Sequence, residues 1–257
     1  MHVAALMAGI GTRLSPLTES CHKSMLSLGG RRIVDYQLDI LRQAGASSLT
    51  VVTGHGGPQL KDHLAAAGHE LEYTVVDNTH YADRNLDWSA FLALSQAPGG
   101  TIYMEGDLLV PAIAFRKLWE SQADLTIVVD SSVPSARPDT LVLSDGSQPR
   151  QLLFFEHEVA HYDGPMQVLG ELVCLVKVSA PAREYVVRAL GEQPFIGPMQ
   201  LYRIFDEALS HLSAAVIDIK GLPWVEIDNP EDLRRAGDIV DSVMESGLRN
   251  GSSRPAG

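Results

Sequence analysis

Through the first half of the chain, short apolar and β-branched runs alternate with segments whose apolar positions recur every three to four residues. His2–Met7, Leu49–Thr53, Leu71–Val76 and Thr101–Met104 predict strands, and Ile33–Gln43, Pro58–Ala67 and Leu86–Gln96 predict helices. Strands apolar on both faces and separated by helices of this length form parallel sheets, because a parallel pair needs a long right-handed crossover. The expected architecture is therefore an α/β fold: three α/β/α layers around a mostly parallel, mixed sheet.

After Val110 the alternation loosens. Leu125–Asp130, Thr140–Leu143, Gln151–Phe155 and Val168–Val178 read as strands, some separated only by polar turns such as Ser144–Ser147, which predicts a small antiparallel insertion over roughly 131–178. Helical spacing returns at Ala180–Leu190, Pro198–His211 and Pro230–Ser246, with a strand at Ala214–Ile219. One domain over 1–247 is expected, followed by a small polar tail, 248–257, expected to be disordered.

Charge narrows the partners. Lys and Arg number 20 against 32 Asp and Glu, a net charge of −12. Such a surface repels a phosphate backbone, so nucleic acid is not an expected partner. Cys21 and Cys174 show no metal-ligand spacing or disulfide framework, which suits a reducing compartment. No apolar run approaches the roughly 20 residues of a membrane span, and His2–Met7 enters a strand without a charged leader. A cytoplasmic protein without membrane partners is expected, with a homodimer as one possible assembly.

The densest chemistry follows the first strand. Gly9 and Gly11 let backbone N–H groups approach an anion or a base closely. Arg13, Lys23, Arg31 and Arg32 make residues 1–34 locally basic within an acidic chain, Glu19 being the single acid there. A dinucleotide loop would need glycine where Leu14 stands, and a triphosphate P-loop would need Gly-Lys-Ser/Thr; neither is present. A plain glycine turn with solvated cations remains open on these residues alone.

The longer string Gly9-x-Gly11-Thr12-Arg13-Leu14-x-Pro16-Leu17-Thr18, with Lys23 beyond it, resembles the signature of the nucleotidylyltransferases, which join a nucleoside triphosphate to a phosphorylated acceptor. It departs from the family pattern at His22, usually proline, and at Met25, usually leucine. The resemblance implies that Leu6, Ala8, Gly9, Gly11, Thr12 and Arg13 meet the nucleotide. It further implies that Arg13 holds the β and γ phosphates and that Lys23 bridges the α-phosphate and the incoming oxygen.

Two acidic segments complete the pattern. Asp107, in Glu105-Gly106-Asp107, lies just past a buried strand, where parallel α/β sheets present ligands, and an acid there can hold a divalent cation on triphosphate oxygens. In Trp224-Val225-Glu226-Ile227-Asp228-Asn229-Pro230, Glu226 and Asp228 alternate with apolar residues and so share a side; the alternative is a helix cap at Asp228 or Asn229. The segment resembles the family's second metal-binding string, so Asp107 with Asp228 is the expected Mg2+ pair and Glu226 a third candidate.

Asn78, Asn85 and Ser89 follow the third strand. Asparagine offers both a donor and an acceptor, as a base edge requires; a turn residue and an N-cap are the plainer alternatives. The string Asn78-x-x-Tyr81-x-x-x-Asn85-x-x-x-Ser89 resembles the branch making CDP-linked products from phosphocholine or small phosphonates, as does a chain without a long C-terminal extension. The resemblance places the acceptor near Glu156, His157 and Glu171, with His157 standing where relatives often carry lysine. Trp88, Phe154, Phe155, Tyr162, Tyr202 and Trp224 are candidate cage aromatics, and Arg137, Lys177 and Arg203 candidate anion contacts, for all of which core or solvated surface is the default. His157-Glu158-Val159-Ala160-His161 spells a zinc-protease motif but follows a strand-like run and stops at a turn, whereas that chemistry needs a helix.

The expected activity is transfer of CMP from CTP to a small phosphorylated or phosphonate acceptor with release of pyrophosphate. A sugar-1-phosphate thymidylyl- or uridylyltransferase and a catalytically silent nucleotide-binding regulator are the alternatives.

Overall fold

The computed structural model describes residues 1–66, 71–132, 140–146, 148–154, 162–193 and 200–247. Strand β1 (His2–Met7) is buried along its whole length, and alternate side chains enter two different cores. Val3, Ala5 and Met7 face one, Ala4 and Leu6 the other. That is why the run is apolar without alternation: both faces of the strand are covered.

The chain continues through a hairpin of β2 (Ser27–Leu28) and β3 (Arg31–Arg32), then α1 (Ile33–Ala44), β4 (Ser48–Thr53), α2 (Gly57–Ala66), β5 (Glu72–Asp77) and α3 (Leu86–Gln96). Next come β6 (Thr101–Glu105), β7 (Leu108–Leu109), α4 (Ala112–Glu120), β8 (Leu125–Asp130), β9 (Thr140–Ser144), β10 (Pro149–Phe154) and β11 (Gln167–Val178). The chain ends in α5 (Ala180–Gly191), α6 (Gln200–Ala208), β12 (Ala214–Asp218), β13 (Val225–Glu226) and α7 (Pro230–Ser246).

In the central sheet β6, β1, β4 and β5 are parallel neighbours, and β12 is parallel to β8. The long β11 is antiparallel to both β6 and β8 and joins these two halves. Beyond β6 its N-terminal part pairs instead with β9, which carries β10, so the small antiparallel extension grows from a strand of the main sheet. One core packs α1, α2, α4 and α7 on one face of the sheet; the second packs α3, α5 and α6 on the other. The result is the expected three-layer α/β/α fold with a mixed, mostly parallel sheet.

Helix α4 is a correction to the loosened order expected after Val110. It begins at Ala112 behind Pro111, which offers no side-chain cap, so it carries no polar start signal. Strands β7 and β13 are two residues each, too short for any periodicity. They pair antiparallel, Leu108 with Glu226 and Leu109 with Val225, apart from the main sheet. No helix among the described residues is long and apolar enough to cross a membrane.

Candidate active site

Parallel strands β1, β4 and β6 end on one edge of the sheet, and the loops leaving that edge build the site. The β1 loop passes Gly9, where an added Cβ would meet open space, to Gly11 at φ +69°. Gly11 starts a 3-10 turn over Thr12–Leu14, and Thr18 Oγ donates to its carbonyl at 2.8 Å. After β6 the chain turns at Gly106, where a Cβ would stand 2.4 Å from the Leu6 carbonyl oxygen, so β1 and the Asp107 loop approach as closely as only glycine permits. Buried Gln37 donates to the carbonyls of Gly106 (2.8 Å) and Leu108 (3.1 Å), clamping both sides of Asp107.

Asp228 arrives through the β7–β13 ladder, extended by Ile227 N–H donating to Asp107 O at 3.0 Å. Of the two helix-cap candidates it is Asn229 that caps α7, its side chain accepting from Glu231 and Asp232 N–H. The Asp228 carboxylate is thereby left to the site. Lys23 Nζ lies 2.9 Å from Asp107 Oδ2 and 3.2 Å from Asp228 Oδ1, and Arg13 lies 2.7 Å from the same Asp228 oxygen. Burial alone would lower the Lys23 pKa; the charge and hydrogen bond of Asp107, joined by Asp228, outweigh it and hold the ammonium above the ordinary lysine value. The Lys23 side chain is 13% exposed and that of Arg13 70% exposed, so one cation is built in and the other extends into solvent.

Ligand atoms of Asp107, Glu226 and Asp228 lie within 4.8 Å of one another. Asp107 Oδ1 is buried and has no hydrogen-bond partner. An orphaned buried carboxylate oxygen among oxygen-only donors suits a hard divalent cation, so the residues fit the magnesium expected from the sequence. Leu6, Gly9, Gly11, Thr12, Arg13, Lys23, Asp107 and Asp228 together line one cleft of about 220 Å³. Ala8 is buried beside it, its carbonyl accepting His55 N–H.

Glu105, which the sequence alone does not single out, also lines this cleft. Glu105 accepts hydrogen bonds from Tyr103 (3.1 Å) and from Tyr202, and lies with Cys174 and Glu226 in a second cluster of potential ligands. Burial, followed by the charge of Asp107, pushes the Glu105 pKa up to about 7. Burial together with Asp107, Glu105 and Asp228 raises Glu226 well above the carboxylate range. The available signal was an acid ending an otherwise buried strand; its tyrosine partner on α6 lies 97 residues away.

The remaining candidates lie elsewhere. Asn78 Nδ2 donates to Ser89 Oγ at 2.9 Å and Asn78 Oδ1 accepts from His80 N–H, tying the end of β5 to α3. Asn85 caps α3, accepting from Asp87 N–H, while the next residue, Leu86, lines the cleft. Glu171 pairs with Asp130 across β11 and β8. Trp88 stacks on Phe91 and Trp224 Nε1 donates to Asp130. Phe154 is half-buried at the end of β10, and the Tyr162 hydroxyl accepts Met166 N–H. Lys177, opposite Ile102, sits at the other end of β6 from the site and donates to Ser121 O; Arg203 is exposed on α6. Glu156, His157, Arg137, Phe155 and the His157–His161 motif fall outside the described residues.

Fold and site together define a protein of the nucleotidyltransferase type. The profile of the MobA-like NTP transferase domain matches residues 3–224, and the chain belongs to that family. Among curated relatives, a CTP:phosphoglutamine cytidylyltransferase of Campylobacter jejuni is 29% identical over 51% of this chain and 53% of its own. A bifunctional IPC transferase and DIPP synthase of Rubrobacter xylanophilus is 27% identical over 95% of this chain and 53% of its own. The chain thus spans about half the length of these relatives. The inositol-1-phosphate CTP transferase of T. maritima superposes with a TM-score of 0.75 at 20% identity, covering 94% of this chain and 95% of that one, which shows a shared fold.

Proposed function

We propose that this protein is a magnesium-dependent cytidylyltransferase that moves CMP from CTP to a small phosphate- or phosphonate-bearing acceptor. The observation that carries the reading is Lys23 Nζ, held between Asp107 and Asp228 at the mouth of the glycine loop with Arg13 on the same carboxylate. Support for CTP comes from the Campylobacter relative and from the Asn78–Ser89 string.

An acceptor oxygen attacks the α-phosphorus in line, the bond to the bridging oxygen breaks, and pyrophosphate leaves. Little covalent work falls to the protein, so this chain aligns the reactants and neutralises charge. Gly9 and Gly11 admit the base and ribose, with Leu6, Ala8 and Thr12 beside them. The exposed Arg13 holds the β and γ phosphates. Lys23 stays protonated through neutral pH and meets the charge that grows on the α-phosphate oxygens. Asp107 and Asp228, with Glu226 adjacent, would hold the magnesium ion, which would supply charge neutralisation on the triphosphate. Residues 1–247 act as one catalytic domain, with the acceptor met by about 131–178, Glu156, His157 and Glu171 included.

The test is pyrophosphate release with each of CTP, UTP, TTP and ATP in magnesium buffer, against phosphocholine, 2-aminoethylphosphonate and glucose-1-phosphate. Turnover with CTP and a phosphocholine- or phosphonate-type acceptor is expected. Activity confined to UTP or TTP with glucose-1-phosphate, or none with any pair, refutes the reading.

A further inference from the structure

His22 departs from the usual proline at the position just before Lys23, and the structure buries it to 1% exposure. Its ring joins two segments of the site. Nε2 lies 2.5 Å from the carbonyl of Met7, the last residue of β1, and Ser24 N–H reaches Nδ1 at 3.0 Å. An amide only donates and a carbonyl only accepts, so the ring carries its proton on Nε2 and is neutral. The imidazole therefore caps the 3-10 turn Lys23–Met25 while strapping it to the end of β1.

The surroundings are shaped for this ring. A Cβ on Gly56, at φ +63°, would stand 2.8 Å from His22 N. Gln59 accepts His22 N–H at 3.3 Å and donates to Ser20 O at 2.9 Å. Ser24 Oγ donates to Gly106 O at 3.3 Å, so the turn capped by His22 also touches the loop carrying Asp107. The His22 backbone, φ −60° and ψ 138°, is the extended conformation to which proline is confined. Histidine here keeps the geometry a proline imposes and adds three hydrogen bonds that a proline lacks, two from the ring and one from the backbone N–H.

We propose that His22 is a positioning residue: its neutral ring, bonded to Met7 O and Ser24 N, sets the turn that presents Lys23 to Asp107 and Asp228. The inference rests on the proposed transfer reaction for what Lys23 does, and on geometry alone for what His22 does. Burial, then the charges of His55 and Lys23, hold the imidazole below its ordinary pKa, the bond to Met7 opposing them. His55, from the turn after β4, and Lys23, from the capped turn, are the charged or titratable groups acting on the ring; the β1 end offers Met7, α2 the neutral Gln59, and the Cys21 thiol donates to His22 O. A second proton, on Nδ1, would face Ser24 N–H and open the cap, so acid releases the turn.

Imidazole 15N shifts of the full-length labelled protein test the geometry without any substrate. A neutral Nε2–H tautomer that titrates below the ordinary imidazole value of 6.5 is expected, and an Nδ1–H tautomer or titration at 6.5 or above overturns the proposal. In MgCTP assays with the most active acceptor of the panel, His22→Ala is expected to lose kcat by about ten- to a hundredfold with the CTP KM within about threefold, the signature of misplacement rather than lost binding. His22→Pro, which restores the extended backbone without the ring's bonds, is expected to regain at most part of that loss; the NMR experiment decides the matter should His22→Ala fail to fold. A normal kcat in His22→Ala or a loss confined to KM overturns the proposal. Lys23→Ala is assayed alongside: full turnover there overturns both this inference and the transfer reading, whereas an inactive Lys23→Ala beside a normal His22→Ala overturns this inference alone.

Discussion

Replacing Lys23 by alanine removes one cation from between two carboxylates, and three quantities should move in directions set by that geometry. Its ion pairs, at 2.9 and 3.2 Å, join side chains 13% and 18% exposed. At an effective dielectric near 20, unit charges about 4 Å apart attract by about 4 kcal/mol, and desolvation cancels much of this, leaving a net stability loss on the order of 1–3 kcal/mol. Turnover should fall further. A donor aimed at charge that develops only in the transition state contributes about 2.7–4 kcal/mol, or about 10²–10³ in kcat. Magnesium affinity of the nucleotide-free protein should rise, because Asp107 and Asp228 lose their built-in counterion. Steady-state pyrophosphate release, thermal melts and calorimetric magnesium titration read the three separately. The folded Lys23 pKa lies above the ordinary 10.5. Its pairs therefore contribute fully below that value and are lost only as pH rises through the folded one. A kcat within about threefold of wild type, or a loss that saturating CTP abolishes, would show that Lys23 does not act on the transition state.

Two further substitutions probe the floor and the frame of the site. Glu105→Gln keeps an acceptor for Tyr103 and Tyr202 but cannot ionise. In the metal-free wild type the folded carboxyl, at about 7, binds its proton more tightly than the unfolded one at 4.5. Wild type should therefore lose stability relative to the variant as pH rises between these values, by up to about 1.4 kcal/mol per unit, and a pH-independent difference in chemical denaturation would contradict this. Gly106→Ala drives a Cβ to 2.4 Å from the Leu6 carbonyl, a backbone clash that should cost about 1–3 kcal/mol and displace Asp107. A melting temperature and magnesium affinity equal to wild type would show that β1 and the Asp107 loop are not in such contact.

Much of the framework was legible because covered strands and amphipathic helices leave periodic marks. β1 was read at its structural limits, and α1, α3 and α7 to within a residue. Signals failed where an element was short or uncapped, as with α4 behind Pro111 and the two-residue β7 and β13. The site divides the same way. Glycines 9 and 11, Arg13, Lys23 and the acids at strand ends stood out as residue types in order, and they do line one cleft. Of Asn78, Asn85 and Ser89, read together as base-recognition candidates, Asn78 and Ser89 are bonded to each other across the β5–α3 connection and Asn85 caps α3, roles that sequence does not distinguish from ligand binding.

Local order along the chain decided which segments become strands or helices and where glycine must stand, since backbone preference and hydrophobic period are properties of neighbouring residues. The hydrogen bond between Lys23 and Asp228, 205 residues apart, and the one from Tyr202 to Glu105 exist only through the packing of the folded chain. That packing also turned His22, an apparent blemish in a motif, into the link between Met7 and Ser24. Charge pairing and burial depend on distance in space, and that distance is set by sheet order and by a two-residue ladder between β7 and β13 that no local pattern records.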